Sequence, residues 1–449
     1  YSDTIQNNWH VIDVGAKNAI YARQMKISIS KKLTKNTAMA FMLCAMLLGS
    51  FVYILSPSFA VGTVLALLVG PIYLMSFLKL RQDSTVVFLF ILIGALLVFS
   101  IVALLIHPSY ENLQYLKAFG FSFLSIPIVT MALSRRRSSV ELAVVLFLAI
   151  VVVVAVAQLA YIYFGIGMNP ARMDAEQYVL DDLVRFSGPR SIFGNPNDFG
   201  AICAMVLIYI LYKSSMSDAI KGIGIIVLSL MIFLSASRIS IFSLLLILIF
   251  YYFRGGLKWK KIALSVFVFG AIFLSLNLLY RGSGSDESYW LSRTSSLVEL
   301  IASYAGFGAG KMSDGSVDIR LSTYVDFLSN FWSIGVGSFK AKDYSYFLSD
   351  VLMRQDPHSL MVELGLLYGY FGFIIYVLII FWVYLSMRQG HGNFIALVLA
   401  FVVAMLTFTS SSVINFPGFW VMLFMCFIVP SVIDVGDVAS RKRRVARFA

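Results

Sequence analysis

Charge is scarce in this sequence: Asp, Glu, Lys and Arg make up 13% of 449 residues, while 59% are hydrophobic and 15% aromatic. That shortage excludes a soluble globular domain, in which about a quarter of the residues are charged. Cysteine is nearly missing. Cys44, Cys203 and Cys426 each lie inside an apolar run, which argues against a framework of external disulfides and leaves the redox compartment unread. Histidine is as rare, at His10, His107, His358 and His391, and these positions show no metal-ligand spacing. No Asp-x-Asp occurs, and the lone Asp-x-Glu, Asp174 to Glu176, reads as easily as a solvated loop pair; a nucleotide-sugar enzyme with a metal-held diphosphate is disfavoured. The run GFGAGKMS at 306–313 imitates a phosphate loop, but Ala305 stands where the first glycine belongs and Met312 replaces Ser or Thr, which argues against ATP binding. The centres of the long apolar runs also lack charge. Lys117, Glu141 and Glu363 fall near helix ends and Gln158 is the most buried polar candidate, a pattern that weakens a proton- or sodium-coupled transporter reading.

What the sequence does have is apolar length. Runs able to cross about 30 Å of hydrocarbon occur near 37–56, 58–78, 85–106, 113–133, 139–164, 197–213, 219–236, 238–253, 260–280, 359–386, 393–411 and 416–433. Lipid offers the backbone no hydrogen-bonding partner, so each run is expected to be a helix. The fold class is therefore an all-α integral membrane protein of about twelve transmembrane helices. Residues 1–24 are polar and mixed and stand apart as a leader or appended segment, with Met25 resembling a natural start. Helices 1–9 fall within 25–280, a large external loop within 281–357, helices 10–12 within 358–433, and a basic tail, RKRRVARFA, closes the chain at 434–449. With the N-terminus inside, every inner connection carries at least one Lys or Arg, both termini lie in the cytoplasm, and the net charge of +12 is mainly an orientation signal. The tail then reads as an anchor at anionic lipid rather than a nucleic-acid site.

Two outer segments are long, 165–196 and 281–357. Loops of such length inside a compact protein are usually functional or disordered. Within the second, SSLVELIASYAGFGAG and RLSTYVDFLSNFWSIGVG space apolar residues as helices do, so short helices on the outer membrane face are expected. The GVG at 335–337 reads as a backbone turn supporting the loop rather than a cofactor cradle. Arg190 sits in SGPRSIFGNPNDFG, where Gly188, Pro189, Gly194 and Pro196 force a turn and Asn197 and Asp198 can cap the next helix. Arg238 sits in SASRIS between two runs with no real loop. A guanidinium at an external helix junction offers parallel donors to a phosphate at any pH, although snorkelling to the interface explains an isolated arginine equally well. His358 follows Pro357 at the mouth of an apolar run, in RQDPHSLMVELGLLYGYFG. His107 also precedes a proline, but no arginine motif surrounds it, and it reads as an interfacial structural residue.

The order of these segments, GPRSIFGNPNDFG, SASRIS, RLSTYVDFLSNFWSIGVGSF, then DPHSLMVELGLLYGYFG, resembles the O-antigen ligase and O-antigen polymerase superfamily of bacterial polysaccharide assembly. The resemblance runs from about Ser187 to Gly372, with one departure: the family often places Asn directly after the histidine, where this chain has Ser359. It implies a C-type, metal-independent membrane glycosyltransferase without cofactor. Such an enzyme takes a glycan from an undecaprenyl-pyrophosphate carrier on the outer face of the bacterial inner membrane. Residue by residue, Arg190 and Arg238 would bind the pyrophosphate with Arg320 near them, and His358 would be the general base. Asn197, Asp356 and Glu363 are supporting candidates. The implied partners are the carrier-linked donor, a glycan or lipid-linked acceptor, membrane lipid and a chain-length regulator, with no nucleic acid.

Three functions stay open on the sequence alone. A polymerase joins carrier-linked repeat units of O-antigen or capsule type; a ligase transfers finished polymer to lipid A core or another acceptor of lipopolysaccharide assembly; a flippase moves the lipid-linked oligosaccharide. Polymerase is favoured over ligase because no dedicated acceptor-recognition domain stands out, and a flippase should have little need of His358.

Overall fold

The computed structural model describes residues 36–48, 61–78, 83–164, 166, 189, 191–193, 196–235, 237–253, 323–341, 359–408 and 417–429. These residues are helical and contain no strand. In chain order the helices are α1 (Asn36–Leu47), α2 (Val61–Leu78), α3 (Ser84–Ile106), α4 (Tyr110–Arg135), α5 (Arg137–Phe164), α6 (Pro196–Ile208), α7 (Asp218–Leu234) and α8 (Arg238–Phe253). A short α9 (323–329) follows, then α10 (Phe331–Ile334), α11 (Leu360–His391), α12 (Asn393–Phe408) and α13 (Pro417–Phe427). The expected span at 260–280, the leader and the basic tail lie outside the described residues.

Four described helices, α3, α4, α5 and α11, are long and apolar enough to cross a membrane, and α1, α2, α8, α12 and α13 hold shorter apolar stretches. The starts follow from local chemistry. Asp83 caps α3 by accepting from the Thr85 N–H at 2.7 Å, and Ser109 caps α4 by accepting from the Asn112 N–H at 3.1 Å. Burial then sorts the helices: α4 is 67% buried over its apolar window and α3 only 33%. Accordingly α4 carries the polar residues, and their hydroxyls are satisfied within the helix. Ser122, Ser125 and Thr130 donate to the carbonyls four residues back, Ala118, Phe121 and Ile126, at 2.7–2.8 Å. At the centre stands α6 with its π-helical continuation Tyr209–Lys213, in which every residue from Asp198 to Tyr212 is buried. It packs on α13, where the Cys426 Sγ–H donates to the Met205 carbonyl at 3.3 Å.

Contacts at the helix ends divide the bundle into two poles. At one pole Arg137 donates to the Lys213 carbonyl, Ser215 N–H and Oγ–H both donate to Glu141 Oε1 at 2.6 Å, and Lys213 Nζ donates to the Ile428 carbonyl at 3.3 Å. His391 Nε2 meets the Tyr212 carbonyl there at 3.2 Å. This basic pole gathers the start of α5 and the ends of α6 and α11. The far ends of α5 and α6 lie at the opposite pole, where Gln158 and the first turns of α6 and α8 are found, and the straight part of α11 runs from His391 toward the same pole as far as Gly369.

The run expected to continue unbroken from 359 to 386 is interrupted. At Gly369 the backbone takes φ 61°, ψ −145°, which ends one helix and starts another at a sharp bend. The bend is tight enough that a Cβ on Gly372 would lie 1.9 Å from the Leu364 carbonyl oxygen. Hydropathy does not register this break because both halves are equally apolar.

Candidate functional site

The described parts of the segments singled out in the sequence form two groups of contacts, one around Ser191, α6 and the α7–α8 junction and one around the break in α11. Ser191, directly after Arg190, takes a left-handed backbone with φ 53° and is fully buried. Three hydrogen bonds hold it there. Gln158 of α5 accepts from the Ser191 N–H at 2.7 Å and donates to the Ser191 carbonyl at 2.8 Å, while Ser191 Oγ–H donates to the Val151 carbonyl at 2.7 Å. Two residues on, Phe193 stacks on Phe199 with centroids 6.1 Å apart, carrying the turn onto α6.

The second arginine motif meets the first through a missing side chain. A Cβ on Gly200 of α6 would lie 2.6 Å from Ser240 Oγ and 2.8 Å from Ser235 Oγ, so only glycine lets α6 approach the α7–α8 junction this closely. Ser237 and Ser240 hydroxyls pair at 2.9 Å, and the Ser237 N–H donates to Ser235 Oγ at 3.3 Å. These bonds bracket Arg238, the first residue of α8.

The segment 335–339 joins the break in α11. The Ser338 and Phe339 N–H groups donate to the Leu366 and Leu367 carbonyls at 3.0 and 2.9 Å, and the Tyr370 N–H donates to the Gly335 carbonyl at 3.0 Å. These are partners that an unbroken helix would have consumed internally, so the bend and the GVG turn satisfy one another. Phe327 of α9 packs with Ile334, Val362 and Leu366. The same short helical stretch leaves Val325, Leu328 and Trp332 exposed, so apolar residues lie on both its packed and its open sides.

Asn112, on α4, was not legible as a site residue. Fully buried, it accepts from the Ala341 N–H at 3.0 Å through Oδ1, while its Nδ2 lies 3.0, 2.8 and 3.1 Å from the carbonyls of Phe339, His107 and Ala103. One side-chain amide thus ties the α3–α4 corner to the segment 339–341, more than two hundred residues away in the chain. His107 contributes its carbonyl to this corner. The only local signal for Asn112 is its spacing of three from the capping Ser109. Replacing Asn112 with leucine takes their side-chain partner from the Phe339 and His107 carbonyls and from the Ala341 N–H, while the Ala103 carbonyl keeps its bond from the His107 N–H. At about 1–3 kcal/mol for each buried group left unpaired, partly relieved by relaxation, the variant should lose roughly 3 kcal/mol. Thermal unfolding of the purified protein checks it.

Of the residues proposed from sequence, Arg190, Arg320, Asp356 and His358 lie outside the described residues. Asn197 occupies the first turn of α6 and is partly exposed. Glu363 is buried in the first turn of α11, whose N-cap, Ser359, accepts from the Val362 N–H at 3.5 Å. Among the described residues no group of three His, Cys, Asp or Glu side chains could hold a metal ion.

Residues 223–377 match the family model for O-antigen ligase, a range that contains Arg238, the α9–α10 stretch, Ser359 and the break in α11 but begins after Arg190 and α6. No curated protein matches the sequence significantly. Over that stretch the chain is similar to the O-antigen ligase family, in keeping with the resemblance its motif order carries.

Proposed function

We propose that the protein is a membrane glycosyltransferase that extends a bacterial surface polysaccharide by joining undecaprenyl-pyrophosphate-linked repeat units, with its site at the pole opposite Arg137 and Lys213. The observation that carries this reading is the packing at that pole. Gly200 lets α6 close on the junction that carries Arg238, and the turn at Ser338 and Phe339 bonds to the first half of α11. The family supplies the chemical class, since its members are glycosyltransferase-like ligases and polymerases acting on lipid-linked glycans.

The reaction asks little beyond these residue types. An acceptor hydroxyl oxygen attacks the anomeric carbon of the carrier-linked sugar, the bond from that carbon to the diphosphate oxygen breaks, and the carrier diphosphate leaves with the electron pair. Guanidinium groups of Arg190, Arg238 and Arg320 stabilise the charge that develops on the departing oxygen and do so most where it is fully formed. The hydroxyl proton passes to the His358 imidazole, whose ordinary titration range suits a base near neutral pH. Asp356 or Glu363 would orient the ring and Asn197 would support the diphosphate side.

The bundle is then a twelve-span inner-membrane protein with both termini in the cytoplasm and the basic pole inside, the arrangement the Lys and Arg distribution favours. A second reading, ligation of finished polymer to lipid A core or another acceptor, is favoured by the description of the matching family as O-antigen ligase. Purified protein in proteoliposomes, given carrier-linked repeat units with and without a core acceptor, separates the two. A ladder of products without acceptor marks a polymerase, and a single acceptor-dependent step marks a ligase. No transfer under either condition would overturn both.

A further inference from the structure

We infer that Val325, Leu328 and Trp332, on the open side of α9 and α10, are a lipid anchor: they sit at the headgroup–acyl boundary of the leaflet away from Arg137 and Lys213, beside the break in α11. The occupant of this apolar ridge is membrane lipid.

The ridge is periodic. The Asn330 N–H donates to the Asp326 carbonyl at 3.0 Å and the Ser333 N–H to the Asn330 carbonyl at 2.9 Å, so helical spacing carries across the joint between α9 and α10. Three sides can then be told apart. Thr323, Phe327 and Ile334 are buried, and the last two pack with Val362 and Leu366 of α11. Val325, Leu328 and Trp332 recur at i, i+3 and i+7 and are exposed, Trp332 at 84%. Ser329, Asn330 and Ser333 are also exposed and, at about 100° per residue, fall on the next side round. Protein on one side, an open apolar ridge on the second and small polar groups on the third match the surroundings of a helix lying in a membrane interface, with protein, acyl chains and water each covering one side.

The height of the ridge follows from α11. Its straight part, from Tyr370 to His391, runs about 33 Å at 1.5 Å per residue, close to the roughly 30 Å of hydrocarbon in a bilayer. His391 contacts the Tyr212 carbonyl at the basic pole, so Tyr370 comes one bilayer thickness away, at the opposite boundary. Along this span Ile374, Val377 and Phe381 are exposed and, counted from Tyr370, follow i+4, i+7 and i+11, a stripe open to acyl chains. Trp332 joins the head of that stripe. Its carbonyl accepts from the Tyr370 O–H at 2.6 Å, and its ring lies 6.3 Å from the Tyr370 ring between centroids. Phe331 secures the join from within, 5.1 Å from Tyr370 and 5.0 Å from Phe373. The ridge therefore continues the lipid-facing surface of a spanning helix at the level where Trp and Tyr settle, their rings in apolar surroundings and their polar ends toward water.

The test uses the full-length protein in phosphatidylcholine–phosphatidylglycerol vesicles and needs no glycan. Subtracting the fluorescence of Trp332→Phe from that of the native protein isolates this indole from the remaining tryptophans. The isolated signal should be quenched several-fold more by lipids carrying a nitroxide near the headgroup than by lipids carrying it at the chain end, and iodide in the water should leave it nearly unchanged. The depth so obtained should be about 5–10 Å below the headgroup surface. Quenching by iodide and not by lipid would place the ridge in water and overturn the inference. Quenching by neither would mean that protein, a second copy included, covers it, and strongest quenching from the chain ends would place it in the bilayer centre; each also overturns it. Should Trp332→Phe fail to fold, Leu328→Cys carrying a nitroxide gives the same answer, because Cys44, Cys203 and Cys426 are buried away from the label. Dissolved oxygen should then relax the label several-fold more than a water-soluble nickel chelate, and the reverse order would overturn the anchor.

Discussion

Gly369→Ala should abolish glycan transfer and loosen the segment 335–341 from the bundle. At φ 61°, ψ −145° the residue occupies a region open essentially to glycine alone. Space compounds the strain, because a Cβ there would lie 2.2 Å from the Gly335 carbonyl oxygen and 2.5 Å from the Gly337 nitrogen, and the atoms in the way are backbone. Relief requires the 335–339 turn to withdraw. That withdrawal breaks the bonds from Ser338 and Phe339 to the Leu366 and Leu367 carbonyls and from Tyr370 to Gly335. Strain of about 1–3 kcal/mol and three broken backbone bonds at about 1 kcal/mol each give a loss of roughly 4 kcal/mol, a size that marks a disrupted junction. Limited proteolysis should show new cleavage near 335–341, and the transfer assay should show no product. Gly390→Ala, on the same helix with open space at its Cβ, serves as the control and should behave as the native protein does. Native stability in Gly369→Ala would mean that the loop and the bend are not coupled as described.

His358→Ala should lower the transfer rate by about 10²–10⁴, the usual worth of a positioned general base. The loss should fall on kcat more than on KM for the carrier-linked donor, since proton removal belongs to the transition state rather than to donor binding. Folding should be nearly untouched: the cap of α11 is made by Ser359, and its apolar anchors, Leu360 and Leu364, are buried independently of position 358. The measurement is single-turnover transfer in proteoliposomes alongside a melting curve. Normal turnover would remove the base assignment, and a collapse in thermal stability would recast the residue as structural.

Different physical causes governed what could be anticipated. The four long apolar helices and several shorter ones were legible because a bilayer imposes a length and an apolar composition on any spanning helix, and both are written locally in the chain. The α7–α8 junction at Ser237 was legible for a related reason: polar, small residues between two apolar runs leave few other places to turn. Gln158 stood out as a polar residue deep in a run, yet its partner, Ser191, is thirty-three positions away and nothing local names it. Asn112 did not stand out at all, since near a helix start an asparagine is ordinary capping chemistry.

Membrane residence, helical class and the location of the arginine and histidine motifs at junctions between apolar runs follow from composition and spacing, because solvent preference is a property of each residue in turn. The break at Gly369, the Gly200 contact with Ser235 and Ser240, and the amide clamps of Asn112 and Gln158 do not. Each depends on two stretches meeting in space, where one backbone's unmet hydrogen bonds, or the room left by an absent Cβ, acquire meaning only once the partner has arrived.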